Sequence, residues 1–76
     1  MARDYTRERT APIRSGMYLR HNFRLGLFYV LGTIPEQNLM LLRECEDDGS
    51  YPAMEKLLAP IKYVRIDEPG WKVVVA

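Results

Sequence analysis

Residues 25–31 of this 76-residue chain read Leu-Gly-Leu-Phe-Tyr-Val-Leu, seven positions without a charge. A run of this kind offers no polar face to water, so it must be covered on every side. In so short a chain that is a demanding condition. A domain of this size buries only about 60% of the surface that its unfolded form exposes. The run therefore belongs at the centre of one small core or in an interface with a second chain, and a homodimer or a stable protein partner is expected. It is far shorter than the roughly 18 apolar residues that a membrane span needs, so no membrane partner is expected.

The apolar spacing begins upstream of the run. Leu19, Phe23, Leu27, Val30 and Leu31 share one broad helical face, with Arg20, His21 and Arg24 beside it. This predicts a helix over residues 15–31. A strand fits the stretch from Leu25 to Leu31 as well, because periodicity does not separate the two over so few residues. Gly32 then ends the element, and Thr33-Ile34-Pro35-Glu36 reads as a capping box with proline in the first turn. The helix it opens, residues 36–45, turns Leu39, Leu42 and Cys45 inward. A third, short helix over residues 50–59 starts at Ser50 and Pro52, presents Met54, Leu57, Leu58 and Ile61, and stops at Pro60.

Two β-prone runs follow, residues 62–66 and 71–75. Asp67-Glu68-Pro69-Gly70 lies between them, with Pro-Gly suited to the centre of a type II turn. They predict a hairpin. Residues 1–13 are polar, charged and without period, and read as a flexible arm. The expected organisation is an arm (1–13) and a single domain (14–76) of α+β class, a small three-helix domain followed by a C-terminal β-hairpin.

That element order resembles a winged helix-turn-helix domain. The resemblance is carried by residues 19–31, 36–45 and 50–58, and by the Tyr63–Trp71 hairpin as the wing. It implies a small DNA-binding transcriptional regulator whose third helix enters the major groove while the wing touches the backbone. Carried over, Ser50, Tyr51, Ala53, Met54 and Lys56 lie near DNA on the third helix, and Lys62, Arg65 and Lys72 on the wing. Arg3, Arg7 and Arg9 of the arm add phosphate contacts. The chain departs from the pattern in its third helix, which is short and has Lys56 as its one cation. It also has no Arg, Asn or Gln for bidentate base reading.

Charge is distributed in blocks. The total is +1, from 11 Lys and Arg against 10 Asp and Glu, but residues 1–24 carry +4, residues 25–55 carry −5 and residues 56–76 carry +2. Such blocks point to an electrostatic partner, or else to acidic and basic segments that face each other inside one fold or across a dimer. The acidic run Glu44, Glu46, Asp47, Asp48 opposes the dipole of a helix ending there and calls for a basic neighbour.

Catalytic chemistry finds little to work with. His21 has no second ligand at metal-binding spacing, and the acidic run lacks the alternation of a calcium loop. Cys45 sits among carboxylates that raise a thiol's pKa. There is no phosphate loop, serine elbow or paired-cysteine motif. A non-enzymatic protein without cofactors is expected, and one lone thiol suits the reducing cytoplasm. The alternative to DNA binding is a protein-binding module or an inhibitor of a host protein, of the kind a phage encodes. It would act through the apolar segment that holds Leu25, Phe28 and Tyr29, or present its acidic run as a mimic of nucleic-acid charge.

Overall fold

A computed structural model describes Arg3–Asp4 and residues 13–75, and none of these residues is in an α-helix. The apolar run lies in a strand whose stretch from Leu27 to Val30 is covered on both faces, while Leu25 at its start stands in water. Six strands form one antiparallel sheet: β1 (Arg3–Asp4), β2 (Tyr18–His21), β3 (Arg24–Ile34), β4 (Leu39–Cys45), β5 (Lys62–Arg65) and β6 (Trp71–Val75), in the order β1-β6-β2-β3-β4-β5. The expected α+β winged-helix architecture is therefore replaced by an all-β one, and the resemblance to a winged helix falls with its three helices.

The helical reading of residues 15–31 fails for a physical reason. Side chains alternate between the two faces of a strand. Leu19, Phe28, Val30, Met40, Leu42, Val64 and Trp71 pack on the inner face together with Ile13, while Leu27, Cys45, Ala53 and Val74 cluster on the outer face. Phe28 and Val30 thus point one way, Leu27 and Tyr29 the other, and both faces exclude water. A strand buried on both faces has no polar period, and a continuous apolar run is what remains. Ile13, which the sequence assigns to the arm, is part of the inner core.

Two irregularities bend the long strand. Between β2 and β3 the register shifts beyond the Leu19–Phe28 pair, at a stretch that includes Gly26 with φ of 102°. The left-handed backbone at Gly26 is what favours glycine there; a Cβ would also stand 3.2 Å from Glu44 Oε2, a close approach that the flexible carboxylate can relieve by a small shift. Between β3 and β4 the pairing steps from Val30–Leu42 to Gly32–Leu41, leaving Leu31 as a bulge. Bulges bend a strand and increase its twist. The sheet curls far enough that Val64 of β5 and Trp71 of β6, three strands apart, meet in the same cluster.

The other local readings are corrected in the same terms. Gly32 does not end its element, because β3 runs on to Ile34. The expected capping box is a single 3-10 turn, Pro35–Gln37, with Ile34 at its N-cap, no side-chain cap bond, and Asn38 left-handed at φ 55°. The chain then reverses straight into β4, where Leu42 faces inward and Cys45 outward rather than sharing a helical face. The segment expected as a third helix crosses the outer face as an irregular loop. Glu46 N donates to Met54 O at 2.7 Å and Lys56 N to Glu44 O at 2.9 Å, so residues 54–56 prolong the ladder of β4. Tyr18 anchors the loop by donating its hydroxyl to Ala53 O at 3.2 Å and by ring contacts of 5.3 Å to both Tyr29 and Tyr51. The two β-prone runs near the C-terminus are strands, but they do not form a hairpin with each other. β5 pairs with β4, and β6 pairs with β2 and β1.

Candidate interaction surface

The blocks of charge meet one another across the fold. Arg20 of the basic N-terminal block makes a two-pronged contact with Asp47 of the acidic block, both bonds at 2.9 Å. Lys56 reaches back to Glu44 at 2.8 Å, Arg43 to Glu55 at 3.5 Å, Arg24 to Glu68 at 3.2 Å and Arg65 to Asp67 at 3.0 Å. Among the described residues, five of the eight Lys and Arg in 13–75 are ion-paired, and Arg14, Lys62 and Lys72 have no carboxylate partner. Pairs this exposed contribute little to stability. Their larger effect is to cancel the local potential that a polyanion would feel. One pair also answers a local conflict. Arg20 and Lys72 sit directly opposite each other on β2 and β6, an unfavourable arrangement that Asp47 offsets.

The guanidinium of Arg20, chiefly by hydrogen bonding, holds the Asp47 carboxyl below the usual carboxylate range. A depressed folded-state value means that this stability is present above the unfolded value of about 3.9 and is lost as pH falls below it. Asp47→Asn is therefore expected to flatten part of the acid limb of a stability-against-pH curve, by under about 1 kcal/mol. Parallel curves for the two proteins below pH 4 would show that the contact does not titrate with folding.

Cys45 is fully buried on the outer face beneath the loop. Burial first, and then Glu55 and Glu44, push its thiol up to about 11. At pH 8 roughly one thiol in a thousand is ionised. Alkylation of the folded protein is expected to be slow and to become rapid on adding denaturant; equal rates would show that the loop does not seal the site. Neither a reactive nucleophile nor a metal centre is built here, and among the described residues no group of three or more His, Cys, Asp and Glu could hold a metal ion.

One end of the sheet is knitted by side chains that the sequence reading left scattered. The β2–β3 turn and the 66–70 turn meet around Trp71. Trp71 Nε1 donates to Glu68 Oε2 at 2.5 Å, the Arg24 guanidinium lies 5.1 Å from the indole centre, and Phe28 and His21 meet the indole edge-on at 5.5 and 4.7 Å. His21 Nδ1 accepts from Phe23 N at 3.1 Å. Its Nε2 therefore carries the proton in the neutral ring and donates to Pro69 O at 3.0 Å. His21 is a structural clasp.

Past this clasp the surface turns apolar. Phe23 is 90% and Leu25 96% exposed at the tip of the β2–β3 hairpin. A second stretch leads into β5, with Leu57 75%, Leu58 102% and Tyr63 65% exposed and Ile61 also in water. The spacing of Leu57, Leu58 and Ile61 predicts one face of a short helix, and the loop leaves them in water instead. Single exposed apolar residues are ordinary, but a contiguous set is the usual mark of a docking surface. β5 is also a sheet edge. Ile66 N donates to Asn38 O at 2.9 Å, extending the β4–β5 ladder. Alternation then turns the backbone groups of Val64 and Lys62 toward β4 and those of Tyr63 and Arg65 away from it. Among the described residues no strand lies beyond β5.

The residues expected to touch DNA are not assembled on one wing. Lys62 and Arg65 lie on β5 and Lys72 on β6, with β2, β3 and β4 between them in the sheet. Lys62 shares the face of Val64, its Nζ 6.0 Å from the Phe28 ring centre, whereas Arg65 is on the opposite face. Lys56 is ion-paired in the outer loop. Arg3 pairs through its backbone with Val75, and Arg7 and Arg9 lie outside the described residues. Of the expected protein-contact residues, Leu25 is exposed, Tyr29 is half-buried against Tyr18, and Phe28 is 3% exposed in the inner core, which removes it from any surface. No helix among the described residues is long and apolar enough to cross a membrane. Compared with known protein families, curated proteins and solved structures, the chain matches none.

Proposed function

We propose that this chain is a small, non-catalytic protein-interaction module of the cytoplasm that docks through exposed apolar side chains. The observation that carries the reading is a contrast between the charged and the apolar side chains. Most cations of the described residues are spent on the chain's own carboxylates, while Leu57, Leu58, Tyr63, Phe23 and Leu25 stand in water. Recognition of DNA rests on unspent cations and the counterions they release, whereas protein interfaces rest on buried apolar and aromatic anchors. The lone, buried Cys45 fits a reducing compartment.

The test compares the folded wild type with two double variants, Leu57→Ser/Leu58→Ser and Phe23→Ser/Leu25→Ser, as bait for a partner that is then purified and rebound. At least one pair is expected to weaken rebinding tenfold or more with the fold intact. Rebinding indifferent to both pairs, but abolished by Lys62→Ala/Arg65→Ala/Lys72→Ala, would transfer recognition to the charges.

A further inference from the structure

We infer that the β5 edge is a self-pairing site, at which a second copy of this chain adds its own β5 antiparallel to the first. The inference rests on the reading of the chain as an interaction module and names the occupant of part of its surface.

The edge has the geometry for this. Tyr63 and Arg65 direct their backbone N–H and C=O groups away from β4, and main-chain pairing at such an edge is a recurrent mode of recognition. In an antiparallel pair these outward residues must face each other, which restricts the register. Centred on Tyr63, the pairing sets Tyr63 against its own copy, Arg65 against Ile61 and Lys62 against Val64. Centred on Val64, it sets Tyr63 against Arg65 and Lys62 against Ile66. In neither arrangement does a cation face a cation. The neighbouring registers, centred on Lys62 and on Arg65, oppose a cation to itself and are disfavoured. The edge is thus compatible in charge with its own copy, although Lys62 and Arg65 would guard it against most basic strands. The overall charge of +1 sets little repulsion between two copies.

The neighbouring side chains favour the same occupant. Leu57, Leu58, Ile61 and Tyr63 occur within seven residues that end on the edge, and a two-fold axis brings each of them in twice. An isologous dimer covers this apolar stretch without requiring a second kind of chain.

The test is sedimentation equilibrium on the full chain from low to high micromolar concentration, with Tyr63→Pro as the decisive variant. The Tyr63 N–H points off the sheet, a position where an edge strand tolerates proline, so β4–β5 pairing survives while edge pairing is blocked. Wild type is expected to dimerise, and Tyr63→Pro to raise the dissociation constant at least tenfold with an unchanged far-ultraviolet spectrum. Should the variant not fold, amide exchange of the wild type decides: protection of the Tyr63 amide must rise with protein concentration. A wild type monomeric throughout the range, a dimer unaffected by Tyr63→Pro, or a Tyr63 amide equally exposed at all concentrations overturns the pairing. A monomer that still loses a purified partner on Leu57→Ser/Leu58→Ser overturns the pairing alone and leaves the interaction module standing.

Discussion

Trp71→Ala is expected to leave the domain close to unfolding at physiological temperature. At 0.05–0.15 kcal/mol per residue a chain of this length holds roughly 4–11 kcal/mol in total. Truncating a buried Trp removes about 3–5 kcal/mol. Here the loss falls on a side chain that, with His21, joins both turns to the core. The indole is 3% exposed, donates to Glu68 and lies against Phe28, His21 and the Arg24 guanidinium. Its removal leaves Glu68 and Arg24 beside a cavity. For a domain of 60–100 residues this corresponds to a fall in Tm on the order of 20 °C, read by far-ultraviolet circular dichroism. Trp71→Phe keeps most of the packing and loses the charge-assisted hydrogen bond, so a smaller fall of about 1.5–3 kcal/mol is expected. An Ala variant that melts within a few degrees of wild type would show that the two turns do not depend on the indole.

The second large effect is expected at Gly70. Its φ is 98°, and a Cβ there would stand 2.8 Å from His21 Nε2. A left-handed backbone costs an L-residue about 1–2 kcal/mol. Displacing the imidazole also breaks its hydrogen bond to Pro69 O, a further 0.5–1.5 kcal/mol or so. Gly70→Ala is thus expected to cost about 2–3 kcal/mol. His21→Ala should soften that penalty, because it removes the atom the new methyl meets. A double-mutant cycle in denaturant measures this coupling, and strictly additive losses would place the cost of Gly70→Ala in the backbone alone.

The same residues show how far the sequence can be read. The strands over 62–65 and 71–75 were legible, because β-branched and aromatic runs flank a Pro-Gly turn. Their partners were not. Adjacent runs joined by a tight turn suggest a hairpin, and only the curl that brings Val64 and Trp71 into one core separates them. Residues 27–30 were legible as a stretch covered on both sides but not as a strand, since burial of both faces erases the period of two, and the exposure of Leu25 at the hairpin tip was not legible at all. The segment 50–59 carried a cap, a first-turn proline and helical spacing. The chain instead uses the backbone of residues 54–56 to extend β4 and leaves Leu57 and Leu58 in water. The charge blocks were plain in the sequence, together with the possibility that they face each other. Which carboxylate answers Arg20 or Lys56 depends on a loop that folds back over the sheet, and no local pattern announces it. The clasp around Trp71 was invisible for the same reason, since Arg24 and Glu68 lie 44 positions apart.

The most direct test of a surface whose charges are spent internally is a fluorescence-anisotropy titration of labelled mixed-sequence duplex DNA with the folded chain, at low and at physiological salt. Negligible, non-saturating binding is expected at micromolar protein, with no difference between wild type and Lys62→Ala/Arg65→Ala/Lys72→Ala. Saturable binding that weakens steeply with salt and is lost in the triple variant would contradict it, and would make the cations of β5 and β6 rather than the apolar stretch the working surface.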